Sequence, residues 1–129
     1  MLRAIQTTSA PQPRGYYSQG VRVGNLLFVS GQLPVDRDGT VVKDTLAQEA
    51  IQVLENIRAI VEAAQGSLAD IVQCTIYISD LTYWSEVNEI YGGFFADVPV
   101  LPARAVVPVK EMSRGARIEI QAVAFLSNP

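Results

Sequence analysis

The sequence predicts an α+β fold, with two helices on one face of a mixed six-stranded sheet. Three observations carry this. Apolar and β-branched runs at residues 26–30, 70–78 and 117–125 have strand length, and the last two alternate. Residues 45–64 carry one broad apolar stripe at helical spacing. The order is strands, helix, strand, helix, strands, with no repeat, low-complexity segment or internal boundary, so residues 1–129 read as a single domain.

Residues 1–15 hold Pro11, Pro13 and Gly15 and read as an irregular arm with a short strand near Ile5. Residues 16–23 are extended. Gly24-Asn25 is a turn pair, and Leu26-Leu27-Phe28-Val29-Ser30 is a continuous apolar run that suits a strand covered on both faces. Gly31 marks a turn or a close approach, Pro34 ends the strand, and Asp36-Arg37-Asp38-Gly39 is a turn. Thr45 and Gln48 form a capping-box pattern ahead of Leu46, Ala50, Val53, Leu54, Ile57, Ile60, Val61 and Ala64. Gln48, Glu49, Gln52, Glu55, Arg58 and Glu62 fall on the opposite side, and Gly66 supplies the C-terminal stop.

In residues 70–78, Val72, Cys74, Ile76 and Ile78 share one face. A second helix spans about Thr82 to Phe95, with Trp84, Val87, Ile90, Tyr91, Phe94 and Phe95 as its stripe. Gly92-Gly93 weakens it by ~1 kcal/mol each, which predicts close packing of a neighbour there. Residues 103–107 form a short strand limited by Pro108. The last strand puts Ile118, Ile120, Ala122 and Ala124 on one face and Glu119, Gln121 and Val123 on the other.

Composition narrows the chemistry. The chain of 129 residues is 49% hydrophobic and 18% charged, with net charge −3 and no Lys/Arg run, which argues against nucleic acid as a partner. Its mean hydropathy of +0.20 points to further apolar burial between subunits. No apolar run approaches the ~20 residues of a membrane span. The single cysteine excludes an internal disulfide, and the reading is soluble and cytoplasmic. No histidine is present, which removes His-based triads and nearly all zinc sites. Catalysis would fall to Arg, Tyr, carboxylates, hydroxyls, amides, backbone groups or water.

Arg104 and Glu119 are the candidates, because each is a charge inside an apolar run. Arg104 offers a planar fork that matches a carboxylate, flanked by small Ala103 and Ala105. Spacing leaves two readings open for it: a ligand anchor, or a structural ion pair. Glu119 reads on pattern alone as the solvent-facing residue of an alternating strand; the functional alternative is a carboxylate that activates water. Tyr17, Ser30, Gly31 and Asn88 are secondary candidates, each with a packing or turn reading beside it. Cys74 reads as core.

The series Pro102-Ala103-Arg104-Ala105-Val106-Val107, Gly115 and Ile118-Glu119-Ile120-Gln121-Ala122-Val123-Ala124 resembles the C-terminal signature of the RidA (YjgF-type) imine deaminase family. Gly15-Tyr16-Tyr17-Ser18-Gln19, Phe28-Val29-Ser30-Gly31-Gln32-Leu33-Pro34, Asn56-Ile57 with Ala63-Ala64, Asp80-Leu81, Val87-Asn88 and Phe94-Phe95 agree in order. The resemblance runs from about Ile5 to Phe125.

It implies a chorismate-mutase-like fold and a homotrimer with clefts between subunits. It implies hydrolysis of reactive 2-imino acids, or their enamine tautomers, to 2-keto acids and ammonia, without metal or organic cofactor. Arg104 would hold the substrate carboxylate and Glu119 would position the attacking water. Tyr17, Ser30, Gly31, Asn88 and the backbone of Val106 would line the pocket. The alternatives are a non-catalytic trimer that binds small carboxylates, or a deaminase dedicated to aminoacrylate-like enamines. Three positions depart from the family pattern: Tyr16 replaces a common Pro, Val106 a common Cys, and Ser113 a common Pro.

Overall fold

A tight hairpin starts the sheet. In a computed structural model that describes residues 1–127, β2 (Gly20–Val23) and β3 (Leu26–Gln32) pair across a two-residue turn. Gly24 takes φ 58° there, a dihedral that glycine adopts at no steric cost. β1 (Leu2–Ile5) pairs with β2, and β6 (Ile118–Phe125) with the far side of β3, all antiparallel. β4 (Ile71–Ile78) lies antiparallel to β6, and the edge strand β5 (Ala103–Pro108) parallel to β4. The order is β1-β2-β3-β6-β4-β5, the mixed six-stranded sheet that the sequence predicts.

α1 (Leu46–Ala63) and α2 (Trp84–Phe94) cover one face. Thr45 caps α1 by accepting from the Gln48 backbone N–H at 3.1 Å. A 3-10 turn, Leu81–Tyr83, leads into α2, with Asp80 accepting from Thr82. Ile76, Ile78, Ile118, Ile120, Ala122 and Ala124 bury against the stripe of α1, each large side chain contributing roughly 1.5–3 kcal/mol. Cys74 is fully buried among them. No helix among the described residues is long and apolar enough to cross a membrane.

Six local expectations are corrected. Glu49 lies on the buried side of α1, only 1% exposed, because its carboxylate accepts from both the backbone N–H and the guanidinium of Arg117. The turn after α1 takes its positive φ at Gln65, not at Gly66; Gly66 is required because a side chain there would meet Leu126 at 2.6 Å. The first strand of the hairpin is shorter than the extended reading of residues 16–23. β3 is covered on one face only, so Leu26 and Phe28 alternate outward. Val72 also points outward, because a register shift between Ile71 and Gln73 flips it away from Cys74. Gly92 and Gly93 are exposed, and among the described residues nothing beyond the adjoining helix lies within 4 Å of a methyl built on either.

The open face of the sheet is therefore partly apolar. Phe28, Val72 and Phe125 are each about half exposed there.

Candidate functional site

The sheet places Arg104 and Glu119 on opposite faces. Arg104 is opposite Cys74 in the β4–β5 ladder, and Cys74 points at the helices. Glu119 is opposite Tyr77 in the β4–β6 ladder, three residues further along β4. Side chains alternate along a strand, so Tyr77 and Glu119 take the open face. The structure does not bring the two principal residues together within the chain.

Around Arg104 the surroundings are aromatic. Its guanidinium carbon lies 4.8 Å from the Trp84 ring centroid and 4.9 Å from that of Tyr91. Cation–π contacts hold the side chain while its donors stay free. Among the described residues no carboxylate pairs with it. Asn88 is exposed one turn after Trp84 and shares its helix face. Val106 is opposite Ile76, so its side chain packs against the core and only its backbone is left for a ligand. The Tyr91 hydroxyl is buried beside the Cys74 thiol, and burial raises its pKa well above the ordinary phenol value. Burial likewise pushes the Cys74 thiol up to about 11.

Around Glu119 the surroundings are backbone and hydroxyl. A register shift between Val29 and Gln32 lifts Ser30-Gly31 out of the β3–β6 ladder. Gly31 then lies against the Glu119 carboxylate so closely that a methyl on Gly31 would run into Oε2. Glu119 has no hydrogen bond or ion pair among the described residues, and burial raises its pKa. It opens onto a cavity of about 230 Å³ shared with Tyr77, Met112 and Gln121. Gly31 and Tyr17 line a neighbouring cavity, also about 230 Å³. The Ser30 hydroxyl donates to the Ser18 carbonyl at 2.6 Å, so it fastens the arm that carries Tyr17. Tyr17 is about half exposed, and Tyr16 projects fully into solvent. Among the described residues no three His, Cys, Asp or Glu side chains are grouped to hold a metal ion.

The family profile described as Endoribonuclease L-PSP matches residues 7–126. The chain belongs to the Rid (YjgF/RutC) family. Among Rid relatives, a 2-iminobutanoate/2-iminopropanoate deaminase of Salmonella typhimurium is 43% identical over 126 residues, 96% of this chain and 98% of that protein. A RutC family protein of Pyrococcus horikoshii is 41% identical over 126 residues, 97% of this chain and 98% of the relative. The crystal structure of E. coli TdcF with bound serine matches with a TM-score of 0.92 at 38% identity, covering 97% of this chain and 99% of that one.

This Rid chain also contains positioning residues that sequence reasoning missed. Gln19 is 2% exposed, and its amide exchanges hydrogen bonds with Thr7 and donates to the Pro11 carbonyl, pinning the arm. Asn56 is 1% exposed and donates to the carbonyls of Leu33 and Val35, just beyond Gly31. Trp84 and Tyr91 read from sequence as core stripe alone. Their contact with a cation on a distant strand leaves no trace in helical periodicity.

Proposed function

We propose that the chain is a hydrolytic deaminase of reactive 2-imino acids and their enamine tautomers, of the 2-iminobutanoate/2-iminopropanoate type, acting as a cytoplasmic homotrimer. The observation that carries this is Glu119: a half-buried carboxylate with a raised proton affinity and no partner among the described residues, held against the backbone of Gly31 beside open space. A carboxylate in that state suits the removal of a proton from water.

Arg104 cannot serve the same substrate molecule within one chain, because it stands on the other sheet face. In this reading a second copy presents its Arg104, Asn88 and Val106 backbone to the first copy's Tyr17, Ser30, Gly31 and Glu119. The half-exposed Phe28, Val72 and Phe125 supply apolar area for that contact.

The chemistry asks little of the protein. A protonated imine carbon is already electrophilic, so catalysis consists of positioning and charge complementarity. Arg104 takes the substrate carboxylate in two parallel hydrogen bonds. Water adds to the imine carbon as Glu119 takes one of its protons, and the C=N electron pair moves to nitrogen. Glu119 passes that proton to the amine. The C–N bond then breaks as the hydroxyl becomes a carbonyl, releasing a 2-keto acid and ammonium. Iminium and water together account for every atom and charge of the products.

A net charge of −3 without a Lys/Arg run in the sequence weighs against a nuclease reading. The test follows the decay of 2-iminobutanoate generated in situ by a threonine dehydratase, with semicarbazide as trap. The expected result is a wild-type acceleration that Arg104→Ala and Glu119→Gln each abolish. Wild-type decay no faster than buffer would end the proposal.

A further inference from the structure

Beyond Gly31 the cavity that Tyr17 lines is walled, among the described residues, by two cations and no anion. Arg14 and Arg114 both line it, together with neutral residues that include Gln12, Gln32 and Ser113. Neither guanidinium is ion-paired among the described residues. Two like charges facing one small cavity repel each other, an arrangement that an anion between them relieves.

Both residues are exposed, and the backbone sets where each side chain starts. Arg114 sits at φ 62° and ψ 23°, a left-handed conformation that non-glycine residues rarely adopt, and Gly115 follows at φ 70°. That conformation carries its side chain back to Gly39, whose carbonyl accepts from one terminal nitrogen at 3.2 Å and leaves the remaining donors uncommitted. Arg14 lies in the arm between Pro13 and Gly15, and the buried Gln19 amide pins that arm at Thr7 and Pro11. The cavity reaches Gly31, the residue pressed against Glu119.

We propose that Arg14 and Arg114 form a second anion subsite, which directs this enzyme toward 2-imino acids whose side chain itself ends in a carboxylate. This rests on the imine-deaminase reading above and names its substrate class. Such a substrate presents one carboxylate to Arg104 and the other to the Arg14–Arg114 pair, with the C=N carbon between them beside Glu119. Two guanidiniums lining one cavity discriminate between side chains, because an alkyl group leaves them unpaired when it fills the cavity.

The experiment compares an acidic imine, made in situ by D-aspartate oxidase, with the neutral imine of 2-aminobutyrate, made by an amino-acid oxidase. Each is followed with wild type, Arg14→Gln, Arg14→Lys and Arg114→Gln. In wild type kcat/KM favours the acidic imine, and both glutamine variants lower the acidic-to-neutral ratio by about tenfold or more. Arg14→Lys, which keeps the charge, retains part of the preference. A ratio that the glutamine variants leave unchanged, or a wild type that favours the neutral imine, overturns the subsite. Calorimetric titration with 2-oxoglutarate and 2-oxobutanoate separates this from failure of the deaminase reading. If no imine is turned over, tighter binding of the dicarboxylate that Arg14→Gln removes still upholds the subsite, and equal binding of the two acids refutes it.

Discussion

On the helix-bearing face of the sheet, Arg104 lies over the rings of Trp84 and Tyr91. On the open face, Glu119 has no partner among the described residues and rests against a glycine in a β-bulge. The first surrounding fixes a charge without neutralising it. The second leaves a charge partly dehydrated, so its proton is held more tightly. In the proposed reaction each half prepares one function, anion capture or proton acceptance. Separation by a whole sheet keeps the two from quenching each other as an ion pair, which their opposite charges would favour at short range. The Glu49–Arg117 pair shows what happens when no sheet intervenes: a buried carboxylate is consumed by the nearest guanidinium and becomes a structural brace.

The sharpest way to break this comparison is complementation. Arg104→Ala and Glu119→Gln should each lower kcat/KM by about 10²–10⁴-fold. Co-expressed in equal amounts they should recover about a quarter of the wild-type rate, since a site between copies needs one intact residue from each. No recovery in mixed oligomers would place both residues of a working site in one chain.

Gly31→Ala comes next. The added methyl must push the Glu119 carboxylate aside, and a loss of about 10²-fold in kcat is expected with the fold retained by circular dichroism. A smaller effect belongs to Trp84→Leu, which removes one of two rings under Arg104. KM should rise about 2–5-fold while kcat is nearly unchanged.

The smallest effect concerns pH. Because Glu119 holds its proton more tightly when folded, its ionised form is the one that folding disfavours. Stability from this group is present below its unfolded pKa and is lost as pH rises through the raised folded pKa. Glu119→Gln should therefore raise the melting temperature modestly at pH 8 and not at pH 4. Wild-type kcat/KM should fall, as pH is lowered, at a pH above the ordinary glutamate value. A pH profile that Glu119→Gln leaves unaltered in shape would remove Glu119 from the proton-transfer step.

The strands and helices were legible because burial on one face imposes a period of about two or 3.6, and Ile118, Ile120, Ala122 and Ala124 obey it without exception. The failures share one cause. Glu49 reads as a polar helix residue until Arg117, distant in sequence, arrives beside it. Val72 fits its alternation until a one-residue shift in the ladder turns it outward. Periodicity reports what each residue's own segment does, not which partner a remote segment delivers. The site followed the same division. Arg104 and Glu119 stood out as charges in apolar runs. Their placement on opposite faces depends on pairing registers that no single segment encodes.

Cys74 offers a clock. It is the only thiol in the sequence, fully buried on β4 directly opposite Arg104, and burial pushes its pKa up to about 11. A thiol in that state reacts with an alkylating reagent only when the packing of β4 against α2 opens. The rate at which a maleimide labels the native protein then measures the frequency of that opening. Labelling should slow further when a carboxylate ligand occupies the cleft, giving a readout of ligand binding on the Arg104 side that needs no turnover and no added probe site.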